Sequence, residues 1–115
     1  MIEVRDINGK LLYTDTEHSD TSELWCEGAD LRNADFRGWD LSYAYFSECD
    51  LRGARFDEAD LSNAMLSACE LEGASFRDAV MTYANVDCVD WWYSEHTIDT
   101  EGAELPYVRN RAAYM

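Results

Sequence analysis

The residues of this chain that are able to carry acid–base, thiol or metal chemistry do not converge in the sequence. The two histidines, His18 and His96, both fall in polar connecting stretches. Four cysteines, Cys26, Cys49, Cys69 and Cys88, recur at wide and nearly even intervals, and no Cys-x-x-Cys pair occurs. Zinc sites and dithiol redox motifs rest on that closer spacing. Serines are numerous, but there is no Gly-x-Ser-x-Gly elbow, no phosphate-cradling glycine loop and no Asp-x-Asp-x-Asp-Gly calcium loop. Catalysis needs a nucleophile, an acid–base pair or a metal set converging on a pocket. The expectation is therefore no catalytic residue, no cofactor and no metal site, with both histidines on the surface, and a protein that is not an enzyme.

What the chain has in excess is negative charge. Asp and Glu number 24 against 9 Lys plus Arg, a formal charge of −15 over 115 residues. Phosphate contacts need clustered Lys and Arg, so direct nucleic-acid binding is not expected. With a single lysine, Lys10, and no basic run, neither is binding to anionic membranes. Hydrophobic content of 47% and aromatic content of 13% oppose the disorder that such acidity would otherwise suggest. No apolar run approaches a membrane span, and MIEVRDINGK lacks the apolar core of a signal peptide. A small acidic cytoplasmic protein with one folded core is expected.

The elements that must position these residues follow from an internal repeat. From Ala29 to Tyr93 the chain divides without a gap into thirteen pentapeptides. Their third position holds Leu six times and Phe four times, then Met81, Val86 and Trp91. Their first position holds Ala nine times, then Trp39, Cys49, Cys69 and Val89. The second is acidic in seven repeats, and the fourth and fifth are mostly polar or Gly. A period of five fits neither a helix nor a strand. It fits a short extended stretch and a corner, with the large third and small first residues turned inward. Four such pentapeptides close a square coil that stacks on the next.

The motif resembles the Ala-(Asp/Asn)-Leu-x-x signature of the pentapeptide-repeat family. The resemblance implies an all-β fold, a right-handed quadrilateral parallel β-helix. Trp39, Val89 and Trp91 depart from the pattern as oversized inward residues. Sorting positions by their place in this coil gives four inward columns: Leu31, Leu51, Leu71, Trp91; Phe36, Phe56, Phe76; Leu41, Leu61, Met81; and Phe46, Leu66, Val86. Cys49 and Cys69 share a column of small inward slots, which explains their spacing as packing and reads them as buried thiols.

Both solenoid ends expose core and strand edges and require caps. Residues 1–28 are assigned to an N-terminal cap and lead-in, 29–93 to the β-helix and 94–115 to a C-terminal cap or tail. Period-two alternation in Ile2–Ile7, then Asn8-Gly9, predicts a β-hairpin over 2–14. Asp15 to Asp20 reads as a polar linker, and Ser22 to Trp25 as either a short helical turn or an early half-repeat, Leu24 and Cys26 being in phase. Trp91 reads as a lid on the last coil; Gly102-Ala103-Glu104-Leu105 resembles one more repeat but is out of phase with Trp91, so 94–101 reads as a loop. The 108–115 tail reads as a short helix or an extended pairing segment.

Two outer faces stand out. The Leu31 side carries Asp30, Asp50, Glu70 and Asp90 at the outward second position, a ladder of carboxylates about 5 Å apart. Like charges at that spacing repel unless Arg32 and Arg52 compensate. The ladder reads either as a solvated face that aids solubility or as an imitation of a DNA phosphate track. The Phe46 side presents Tyr45, Met65 and Asn85 outward, with Trp25 if a coil begins there, and Tyr43 and Tyr83 at the adjoining corner. These residues read as a protein contact or as corner covering; Trp92 and Tyr93 would extend a contact or cap the end.

The resemblance implies a non-enzymatic binding role, since some family members act as DNA mimics on DNA gyrase or topoisomerase IV. Gyrase or topoisomerase is the first partner to expect, a phage or host defence nuclease the second. The alternative is a structural or assembly module that self-associates, as a homodimer, or binds a protein through the aromatic face.

Overall fold

The computed structural model describes residues 1–87 and 98–105. Within them the repeat folds as a right-handed quadrilateral β-helix, and its coils begin earlier than the strict motif does. Two antiparallel strands come first, β1 (Ile2–Arg5) and β2 (Leu11–Asp15). A single 3-10 turn, Thr21–Glu23, is capped by Asp20, whose carboxylate accepts from Ser22 N. One side of the coils is then regular enough to form a four-stranded parallel sheet from β3 (Trp25–Glu27), β4 (Tyr45–Ser47), β5 (Met65–Ser67) and β6 (Asn85–Asp87). Its register advances by one full coil of four pentapeptides per strand: Trp25 pairs with Tyr45, Tyr45 with Met65, and Met65 with Asn85. Both readings of Ser22 to Trp25 thus hold in part, the turn at 21–23 and the first coil from Leu24.

The other sides are short extensions joined by turns. Ala34 N donates to Leu31 O at 3.0 Å, Ala54 N to Leu51 O at 3.0 Å and Ala74 N to Leu71 O at 2.9 Å. The residue before each donor is left-handed: Asn33 (φ 61°), Gly53 (φ 73°) and Gly73 (φ 75°). This is the pattern of a type II turn, whose third residue needs positive φ. The fifth repeat position is therefore the conformational corner, which is why Gly and Asn recur there.

Inside, the third-position residues Leu31, Phe36, Leu41, Phe46, Leu51, Phe56, Leu61, Leu66, Leu71, Phe76 and Met81 are fully buried. Phe56 stacks between Phe36 and Phe76 at centroid separations of 5.0 and 4.7 Å and interplanar angles of 14° and 3°. Phe46 meets Phe36 and Phe56 edge-on across the core. Trp39 replaces Ala in an inward slot only in the first coil, where it is half-buried and edge-on to Phe36 at 5.3 Å. Leu24 and Cys26 exchange the usual sizes, Leu at the small position and Cys at the large one, and both are fully buried. Cys26, Cys49 and Cys69 are free buried thiols, and Cys49 Sγ donates to Cys26 O at 3.3 Å. Burial raises the Cys26 thiol, and the hydrogen bond with Cys69 together with burial raises that of Cys49, so both stay protonated.

The N-terminal hairpin closes the first coil. Ile2 and Val4 are buried on the core, Asp6 bridges Ala34 antiparallel, and Asp35 N donates to Arg5 O at 2.8 Å. This pairing uses up the strand edge that would otherwise invite association. Two sequence expectations need correction. Asp15 is not the start of a polar linker: it is the last residue of β2, 4% exposed, and the only buried polar or charged residue among the described residues. The segment 94–101 is not a loop to its end. Asp99 bridges Ser75 and Glu104 bridges Val80, both parallel, so residues 98–105 form two further sides of the solenoid. The step from Ser75 to Asp99 is longer than the step from Arg55 to Ser75 on the same side. Ile98 is buried after Ala34, Ala54 and Ala74 in that column. A short insertion moves the motif out of phase without ending the stack. Cys88, Asp90, Trp91, Trp92, Tyr93, His96 and the 108–115 tail lie outside the described residues, as does the expected Trp91 lid.

Candidate partner-binding faces

The Leu31 side brings Asp30, Asp50 and Glu70 into one column, with parallel bridges from Asp30 to Asp50 and from Asp50 to Glu70. The column is a zipper of alternating charge. Second and fourth positions of an extended stretch point the same way, so Arg32 folds back on its own repeat, its Nε and Nη2 donating to Asp30 at 2.9 and 2.8 Å. The same guanidinium lies 3.8 Å from Asp50 on the next coil. Arg52 repeats the pattern, donating to Asp50 at 2.8 and 2.7 Å and reaching Glu70 at 3.3 Å. Hydrogen bonds from Arg32 hold the Asp30 carboxyl down at about 2, and those from Arg52 lower Asp50 in the same way. The zipper ends at Glu72, which stands where a third arginine would continue it.

The neighbouring Phe36 side is zipped as well. Arg37 clamps Asp35 at 2.8 and 2.9 Å. Arg77 donates to Asp99 and lies 3.6 Å from Glu101, tying the fourth coil to the third. All five arginines of residues 29–93 (Arg32, Arg37, Arg52, Arg55 and Arg77) lie on these two sides.

The β3–β6 sheet supplies the other face. Alternation within each strand turns Cys26, Phe46, Leu66 and Val86 inward and leaves Trp25, Tyr45, Met65 and Asn85 outward in register. Trp25 and Tyr45 stack with centroids 4.0 Å apart at 19°. Trp25 is 48% exposed and Met65 38%. At the adjoining corner stand Tyr43 and Tyr83 with Asn63 between them, all three left-handed at φ 73°, 63° and 62°. The two tyrosines are 71% and 77% exposed. Rings this open shield little of the chain beneath them, which separates them from the corner-covering reading.

Sequence patterning thus located both columns but missed the distribution of cations between them. The Leu41 and Phe46 sides carry Asp40, Asp60, Glu104, Glu27, Glu48 and Asp87 and not one Lys or Arg. Applying the same coil-by-coil sort to arginine would have found this. Among the described residues, no ion pair involves any of those six carboxylates. His18, expected on the surface, is partly buried with Nδ1 2.9 Å from Asp15 Oδ2. No group of three potential metal ligands converges among the described residues.

The family model for pentapeptide repeats matches residues 26–57 and 59–90, in eight copies. No curated protein matches the sequence. Among solved structures, the chain is similar to a pentapeptide repeat protein from the thylakoid lumen of Arabidopsis thaliana. Identity is 25% over 83% of this chain and 72% of that one, with a TM-score of 0.49.

Proposed function

The chain belongs to the pentapeptide-repeat family, and from that premise we propose that it is a non-enzymatic binding protein whose working surface is the aromatic side built on β3–β6. The observation that carries this reading is the outward row of Trp25, Tyr45 and Met65, in which Trp25 and Met65 are exposed and Tyr45 is half-buried, with the exposed Tyr43 and Tyr83 beside it. Contiguous exposed aromatic and Met side chains rimmed by polar groups mark protein contacts. The row lies on a regular parallel sheet fixed by backbone pairing, so the surface is preorganised and little ordering cost accompanies binding. The test is the double variant Tyr45→Glu, Met65→Glu, immobilised beside the wild type in cell lysate. A protein retained by the wild type and lost by a normally folded variant supports the reading; identical retention by both sinks it. Light scattering on the same pair decides whether the partner is a second copy, since a mass that falls to the monomer in the variant identifies a homodimer.

A second reading keeps the support of net charge and of the in-register column Asp30, Asp50 and Glu70. In it the Leu31 side imitates a DNA phosphate track for DNA gyrase or topoisomerase. Arg32 and Arg52 weaken that imitation, because they pair with Asp30, Asp50 and Glu70 and leave Glu72 as the charge on that side outside the ion pairs of the described residues. Reversing Asp30, Asp50 and Glu70 to Lys separates the readings in a supercoiling assay. Loss of an inhibition shown by the wild type supports the DNA mimic, whereas unchanged behaviour excludes the ladder.

A further inference from the structure

We propose that the aromatic side is a receptor for an arginine- or lysine-rich extended segment of a partner protein. The inference rests on the reading of that side as the working surface and adds the chemistry of what it takes. Charge sorting is its first ground. Arginine pairs with carboxylates on the Leu31 and Phe36 sides, which stay net negative, while the aromatic row is flanked by Asp40, Asp60 and Glu104 on one hand and Glu27, Glu48 and Asp87 on the other, with no cation among them and no ion pair among the described residues. Aromatic rings bordered by carboxylates that neutral donors but no cations engage (Ser42 on Asp40, Ser62 on Asp60, Trp25 on Glu27) suit guanidinium and ammonium groups, which gain a ring face and an ion pair together.

The second ground is the placement of Tyr43 and Tyr83. Left-handed φ belongs to the fifth repeat position in general, Glu48, Glu58, Ala68 and Asp78 included, so the corner itself fixes where these side chains stand. What sets the two tyrosines apart is that large rings at this corner are left open to solvent. Open aromatic rings on a fixed backbone offer their faces to a cationic group. With coils about 4.8 Å apart the two rings stand roughly 10 Å apart along the stack, a length spanned by about three extended residues.

These tyrosines also supply the test, because Tyr43→Asn, Tyr83→Asn removes both rings, leaves the net charge unchanged and suits the left-handed corner. Fluorescein-labelled nona-arginine is titrated by anisotropy against the wild type, this variant, and Asp30→Asn, Asp50→Asn, Glu70→Gln. The wild type is expected to bind roughly tenfold more tightly than the tyrosine variant. The ladder variant is expected to stay within about threefold of the wild type, since its charges lie on another side. The tyrosine variant should melt at or above the wild-type temperature, so that weak binding is not a folding defect. Equal binding by wild type and tyrosine variant overturns the proposal and leaves only attraction to overall charge. So does a loss confined to the ladder variant. If the tyrosines prove irrelevant to nona-arginine while Tyr45→Glu, Met65→Glu still loses its lysate partner, the surface stands and its cationic specificity falls. If that pair also retains the partner, the surface itself is wrong.

Discussion

Replacing Phe56 by alanine is expected to lower the unfolding free energy by about 3–5 kcal/mol, the usual range for a buried Phe truncated to Ala. The upper half of that range applies because this site has little freedom to collapse. Phe36 and Phe76 lie on either side at 5.0 and 4.7 Å, and Phe46 meets it edge-on. The coil spacing that sets those distances is fixed by backbone bonds around Phe56 itself: Phe56 N to Ser75 O at 2.7 Å and Arg55 N to Ala34 O at 2.8 Å. The neighbouring rings therefore cannot close the gap without breaking the parallel ladder. Phe56→Leu should cost less than about 1.5 kcal/mol, because leucine fills the same third position on other sides and changes the volume modestly. Urea unfolding of the two variants measures both. A loss below about 1 kcal/mol for Phe56→Ala would contradict the stacked inward column.

The phenylalanine column was legible because a side chain facing inward on a square coil stacks on its counterpart one coil away, so like falls on like and the period shows directly. The same logic placed Asp30, Asp50 and Glu70 in one column and Tyr45 above Met65. It does not reveal how far a long outward side chain reaches. Arg32 and Arg52 each touch carboxylates on two coils, and that choice depends on rotamers rather than on period. The phase break before residue 98 has a different origin. Asp99 pairs with Ser75 and Glu104 with Val80, a longer step in sequence than the coil period, so the motif at 98–105 rejoins the stack although its numbering does not. Asp15 was hidden for a third reason. Its neighbours are polar in sequence, and only the docking of the hairpin on the first coil buries it.

Asp15→Ala should consequently be among the most damaging polar substitutions in the chain, at about 3 kcal/mol, since buried donors left unpaired cost about 1–3 kcal/mol each. Asp15 Oδ1 accepts from Glu17 N at 2.9 Å and His18 N at 3.1 Å. Oδ2 lies 2.9 Å from His18 Nδ1 and accepts from Trp25 N at 3.1 Å. One carboxylate thus fixes the turn after β2 and ties it to the first strand of the aromatic sheet. Burial alone would raise this carboxyl, but the bonds from His18, Glu17 and Trp25 outweigh it and hold it below the usual aspartate range. A folded-state pKa below the unfolded value gives stability that is complete above the unfolded pKa, near 4, and is lost as pH falls through the folded one. Asp30, Asp35 and Asp50 are lowered too and share that window, so the wild type alone does not isolate Asp15. The difference between wild type and Asp15→Ala does. Urea unfolding at successive pH values should show it full near neutrality and shrinking below about pH 4. Asp15→Asn keeps one acceptor for the turn and should fall between the two. A difference that stays constant down to about pH 2, or grows, would mean that the Asp15 charge does not hold the hairpin to the coil.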